Sequence, residues 1–222
     1  MSQAVYAEKQ TLQVEIQSGK VMLPGELILP RDAQGVVLFA HGSGSSRHSP
    51  RNQFVAQIIR AEGVGTLLFD LLTREEESID AHTGYLRFNI ELLAERLIAA
   101  TEWVEKEFDQ LGIGYFGSST GGGAALVAAA EKGDAVGAVV SRGGRPDLAG
   151  QSLRFVRAPT QLIAGGLDYS VIEMNRWAYT QLKCEKELTI VPGASHLFEE
   201  PGTLEEVALL AGGWFQAHLR GK

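Results

Sequence analysis

A single cysteine, Cys184, stands among 222 residues, so no disulfide can form within the chain. One cysteine fits a reducing compartment. Its setting, QLKCEKEL, lies near the end of an expected helix with no histidine beside it, and reads as a tolerated structural thiol. Long apolar runs are missing too, and none approaches the roughly 20 residues needed to cross a bilayer. The opening MSQAVYAEKQTLQVEIQ has neither a basic stretch nor an apolar core, which excludes a secretory signal there and makes the expected location cytoplasmic. Basic residues are outnumbered, 20 Lys plus Arg against 27 Asp plus Glu, for a formal charge of −7. They are scattered, whereas binding to nucleic acid needs clustered Lys and Arg. Repeats, low-complexity tracts and linkers are absent, so residues 1–222 read as one domain.

What is present alternates between strand and helix character. QTLQVEIQSG reads as a half-exposed strand, and after a Gly-Lys turn VMLPGELILP reads as its hairpin partner. Pro24 inside that partner predicts an edge position or a bulge. From residue 35 the segments GVVLFAHG, GTLLFDLL, LGIGYFGSS, AVGAVVSRG, PTQLIAGG and KELTIVPG are short and continuously apolar, as strands covered on both faces are. Amphipathic helices lie between them. In NIELLAERLIAATEWVEKEF, Ile90, Leu93, Leu97 and Ala100 share one face while Glu91, Glu95, Glu102 and Glu105 look outward. Thr203, three residues before Glu206, predicts a capping box opening the last helix. An antiparallel start followed by βαβ units predicts an α/β fold with a mostly parallel, doubly wound sheet. Residues 73–85, TREEESIDAHTGY, are too polar for either pattern, and read as a flap over a pocket or as a solvated loop.

The strongest chemical signal is LGIGYFGSSTGGGAALVAAA, where a buried strand runs into Gly117-Ser118-Ser119-Thr120-Gly121 and a small-residue helix follows. This fits G-x-S-x-G: the nucleophile sits on a sharp strand-to-helix turn, and side chains two residues either side would collide. Ser119 is the candidate nucleophile. Ser118 has Phe116 where a glycine is needed. The helix after it directs its N–H groups and dipole at charge developing beside Ser119. Gly112, Gly114 and Gly117 also spell G-x-G-x-x-G, but the first two lie inside the strand, where a dinucleotide loop would follow it.

Three more segments complete a constellation. The strand GVVLFA runs into His41-Gly42 and the small-residue loop Ser43-Gly44-Ser45-Ser46. That loop is suited to giving a backbone N–H from Ser43 to an oxyanion, beside the N–H of Thr120, or alternatively to a glycine-rich turn or phosphate nest. His41 and His48 read as structural or pocket-lining. Asp168 follows a strand ending in Gly165-Gly166 and has either a catalytic role or that of a helix N-cap. His196 follows the next strand. The order Ser119, Asp168, His196, each just past a strand's carboxyl end, is that of a nucleophile, orienting acid and base on a doubly wound sheet.

On HGSGSS, GSSTG, the GGLD segment and the GASH segment, the sequence resembles the α/β-hydrolases, and among them the compact dienelactone-hydrolase-like branch, from VMLPGELILP to the last helix. The resemblance implies triad positions for Ser119, Asp168 and His196, and oxyanion positions for the N–H groups of Ser43 and Thr120. It implies hydrolysis of a small-molecule carboxylic ester, thioester or lactone without cofactor or metal. The large cap inserted after the sixth strand in many relatives is missing. Dienelactone hydrolase itself uses a cysteine nucleophile, so its lactone substrate does not follow. Acyl transfer on the same residues, and a silent fold used as a small-molecule receptor, are the alternative functions. Arg142, at the end of the strand AVGAVVSRG, is the candidate substrate-binding residue, or else a structural arginine paired with Asp147 or a carbonyl.

Overall fold

A computed structural model describes residues 10–221; the expectation of no leader falls partly on residues 1–9, outside them. Eight strands form one sheet: β1 (Gln10–Ser18), β2 (Val21–Leu29), β3 (Gly35–Ala40), β4 (Gly65–Phe69), β5 (Gly112–Ser118), β6 (Val136–Arg142), β7 (Thr160–Gly165) and β8 (Lys186–Val191). Their order is β1-β2-β4-β3-β5-β6-β7-β8, with β2 antiparallel to both its neighbours, β1 and β4, and β3 to β8 parallel. The helices are α1 (Pro50–Ala61), α2 (Arg74–Thr83), α3 (Ile90–Glu107), α4 (Thr120–Lys132), α5 (Tyr169–Gln181) and α6 (Thr203–His218). This is the expected doubly wound α/β architecture. None of the helices described is long and apolar enough to cross a membrane.

The apolar strands owe their composition to burial on both sides. Along β3, Val36, Leu38 and Ala40 face one core layer and Val37 and Phe39 the other, the period of two that a pleated strand imposes. The first layer packs against α3, α4 and Ala178 of α5; the second packs against Val55, Ala56 and Ile59 of α1 and Val207, Ala211 and Phe215 of α6. All three glycines of the overlapping G-x-G-x-x-G lie within β5. A Cβ at Gly114 would come within 2.9 Å of the Phe215 ring, and one at Gly112 within 2.4 Å of the Arg220 carbonyl oxygen. Gly112 and Gly114 make room for α6 and the residues after it.

Several local expectations fail, each for a stated reason. Pro24 lies neither at the sheet edge nor in a bulge: β2 runs in continuous register between β1 and β4. Its carbonyl accepts the Asp70 N–H at 3.1 Å, one residue past the end of β4, so its missing donor falls where the β2–β4 ladder stops. Thr203 is not an N-cap, because Gly202 holds that position and the Thr203 hydroxyl donates to the Glu200 carbonyl at 2.8 Å. The capping box is at Thr73 and Glu76, opening α2, so residues 73–85 are mostly helix rather than loop. Between β6 and β7 lie only 3-10 turns, at Pro146–Phe155. At the far edge β8 is half-buried, unlike the five strands before it.

Candidate active site

Ser119 is the residue between β5 and α4. Its φ of 52° and ψ of −122° are a left-handed-side conformation costing on the order of 1–3 kcal/mol for a residue with a Cβ. Packing enforces it. A Cβ on Gly117 would lie 2.4 Å from the Gly121 carbonyl oxygen, and one on Gly121 would lie 2.0 Å from the Ala40 carbonyl oxygen. Both contacts are with backbone, so neither can yield. The Ser119 N–H donates to the Arg142 carbonyl at 3.3 Å, and its own carbonyl accepts from Gly122 and Arg145 at 3.0 and 2.9 Å. The turn is therefore fastened on both sides.

Asp168 and His196 meet because the turns after β7 and β8 interlock. The Gly166 N–H donates to the Val191 carbonyl at 2.8 Å, and the Leu167 N–H to the Ala194 carbonyl at 2.9 Å. Across that seam His196 Nδ1–H donates to Asp168 Oδ2 at 2.6 Å, which leaves Nε2 as the ring's acceptor. Asp168 precedes α5 but makes no capping bond; its side chain serves the histidine. Sequence reasoning missed Glu200, whose carboxylate accepts the Ser195 N–H at 2.9 Å and steadies the turn that presents His196. The backbone and side-chain bonds from Ser195 hold its pKa below the usual value.

Ser119 and His196 line one cavity of about 230 Å³, together with Gly42, Ser43, Arg51 and Arg142. The Ser119 hydroxyl makes no hydrogen bond to another described side chain. The loop after β3 runs directly against it: a Cβ on Gly42 would approach Ser119 Cβ to 3.0 Å. His41 is structural and buried. Its Nδ1–H donates to the Gly42 carbonyl at 3.1 Å and its Nε2 accepts the Leu71 N–H at 3.0 Å, tying that loop to the end of β4. Burial lowers its pKa, in keeping with the neutral ring these two bonds require. No loop, turn or side-chain acceptor among the described residues engages the Ser43 or Thr120 N–H. Thr120 occupies the first position of α4, where an N–H has no partner within the helix.

Arg142 ends β6, is buried, and lines the same cavity. The expected pairing with Asp147 does not form, because Arg145 takes that carboxylate with two hydrogen bonds at 2.9 and 2.8 Å. Arg51, in the first turn of α1, also went unrecognised in the sequence, though it stands five residues after the small-residue loop. A second cavity of about 600 Å³ adjoins the first through Gly42, Ser43 and Arg51, and is walled by Leu71, Leu72 and α2. His48 lines it as expected. Cys184 lies elsewhere, half-buried near Thr160 at the start of β7, and burial pushes its thiol pKa up. Among the described residues no group of three or more His, Cys, Asp or Glu side chains is placed to hold a metal ion.

No family model matches the chain. Two curated proteins of Mycobacterium tuberculosis, from strains CDC 1551 and H37Rv, are each 56% identical over 211 residues and provisionally named phosphoribosyl transferases. The matches cover 94% of this chain but 47% of theirs, so the chain spans about half the length of these relatives. Among solved structures, Est1E from Butyrivibrio proteoclasticus superposes with a TM-score of 0.77 over 92% of this chain and 98% of its own, at 16% identity. A dienelactone hydrolase from Anabaena variabilis superposes with a TM-score of 0.93 over 96% of this chain and 99% of its own. At 57% identity to that protein over nearly all of both chains, the chain belongs to the dienelactone-hydrolase family of α/β-hydrolases.

Proposed function

We propose that the chain is a serine hydrolase that cleaves carboxylic esters, or thioesters and lactones, of small acids through an acyl-enzyme on Ser119. The observation that carries this is the Asp168–His196 hydrogen bond of 2.6 Å beside a strained serine lining the same cavity. His196 Nε2 takes the Ser119 proton as the oxygen attacks the ester carbonyl, the two closing to hydrogen-bond distance as substrate seats. Asp168 fixes the tautomer and stabilises the imidazolium. The tetrahedral oxyanion is received by the Ser43 and Thr120 N–H groups, aided by the amino end of α4. The imidazolium returns its proton to the leaving group. Water, deprotonated by His196, then attacks the acyl carbon and frees the acid and Ser119.

Phosphoribosyl transfer, in the name of the M. tuberculosis relatives, belongs to the name of proteins about twice as long as this chain. Ser119→Ala is expected to abolish labelling by a fluorophosphonate probe and to cut turnover of p-nitrophenyl acetate by roughly a millionfold. Turnover within tenfold of the parent protein would remove Ser119 from the mechanism.

A further inference from the structure

The cavity beside Ser119 carries more positive charge than its walls neutralise. Arg142 is 6% exposed and stands in register with Ser118 of the adjoining strand. Its guanidinium makes no ion pair and no hydrogen bond among the described residues, and its Nε is buried without an acceptor. What holds it is the Phe198 ring, whose centroid lies 5.6 Å from Cζ. Phe198 is itself buried, with φ of 55°. A lone buried cation is costly to keep. Burial and the nearby Arg51 lower the Arg142 pKa to about 10, which leaves it charged at neutral pH. Arg51 lies at the rim, with its side chain 37% exposed and paired to Glu199 at 3.2 Å. Two guanidiniums against one exposed carboxylate leave the cavity cationic.

Serine hydroxyls able to donate line part of the remaining wall. Ser43, Ser45 and Ser49 line the cavity, and Ser49 is the N-cap of α1, so that helix begins at the cavity wall. We propose that this cavity is a subsite for a phosphate group carried by the ester substrate. A carboxylate presents two oxygens in one plane, whereas a phosphate presents three or more around a tetrahedron. Here the donors arrive from β6, from the loop after β3 and from the start of α1, and converge from several sides as a tetrahedral anion requires. Because the same 230 Å³ also holds Ser119 and His196, the phosphate sits on a short arm beside the scissile carbonyl. The subsite rests on the reading of Ser119 as nucleophile.

The test separates the two. Ser119→Ala protein is titrated calorimetrically with inorganic phosphate and with acetate, in the Arg142 and Arg51 background and with Arg51→Gln or Arg142→Gln added. Phosphate is expected to bind at least about tenfold more tightly than acetate, and to weaken about tenfold or more in each arginine variant. With Ser119 present, the KM ratio of a glycerol-phosphate acetyl ester to p-nitrophenyl acetate is expected to change about tenfold in Arg51→Gln, to the disadvantage of the phosphorylated ester. Arg51 is at the rim, so that variant folds even where Arg142→Gln does not. Phosphate that fails to saturate, acetate bound as tightly as phosphate, or a KM ratio that stays put in Arg51→Gln would each overturn the subsite. Fluorophosphonate labelling of the parent protein reports on the nucleophile alone: labelling without phosphate binding sinks only the subsite, and a protein that is not labelled loses the esterase and, with it, the ester that would carry the phosphate.

Discussion

Two segments rise from the same rim of the sheet and are held by opposite means. After β5 the chain turns through Ser119 because Gly117 and Gly121 leave no other space, and every restraint on it is backbone against backbone. After β4 the chain makes α2 and returns through residues 84–89, held by side chains. Asp80, buried, accepts the N–H groups of Leu86 and Arg87 at 2.7 and 3.2 Å and pairs with the Arg87 guanidinium. Arg96 of α3 bonds Glu76 and the Ser18 carbonyl at 2.8 and 3.1 Å, fastening α2 to the hairpin. Steric exclusion leaves one conformation available. A polar network leaves a segment that opens when one of its members is lost.

Substitutions can break that contrast. The largest effect is expected for Gly121→Ala, whose Cβ would meet the Ala40 and His41 carbonyl oxygens at 2.0 and 2.7 Å. A loss above about 4 kcal/mol, or no soluble protein, is expected in urea denaturation. A midpoint within the equivalent of about 1 kcal/mol of the parent would show that the turn yields after all. Asp80→Ala comes next, at about 2 kcal/mol from the orphaned N–H groups and the stranded Arg87. Burial pushes the Asp80 carboxyl up, but the bonds from Arg87 and Leu86 outweigh it and its pKa is lowered, so the anion is the form that holds the segment. Hydrogen exchange is expected to accelerate across residues 74–88 and not in β3, β5 or β6. Uniform acceleration would mean that α2 is as much part of the core as the serine turn. Thr73→Ala is the mildest, about 1 kcal/mol from the lost cap, seen as faster exchange confined to the first turn of α2. An unchanged rate there would make the capping box ornamental.

The contrast also explains what the sequence disclosed. The serine turn, the six parallel strands and the carboxyl-end placement of Asp168 and His196 follow from glycine spacing and runs of apolar residues, which are local properties. α2 was missed because REEESIDAHT has no apolar stripe for periodicity to detect. Its boundary signals were there all the same: Thr73 with Glu76 at the start, and Gly84, with φ of 65°, at the end. The capping pattern at Thr203 was equally good on paper and lost to Gly202, since both sequences satisfy the rule and only the approach of the preceding turn decides. Arg142 shows the limit most clearly. Asp147 lay five residues away, but Arg145, two residues from it, reached it first. Arg142 ends β6 and Arg145 lies past it, directly before the turns that carry Asp147, and the sequence pattern does not show that division.

The glycines at the serine turn also bear on descent. Gly117 is crowded by the backbone of Gly121 and Gly122, and Gly121 by the backbone of Ala40, so no side-chain change elsewhere can compensate for replacing either. A lineage drifting one substitution at a time meets a cliff at those two codons. It can exchange α2 piecemeal, because each bond there is one among several. New substrate ranges in such a lineage are expected to arise by rewriting the wall of the larger cavity while the turn that seats Ser119 passes on untouched.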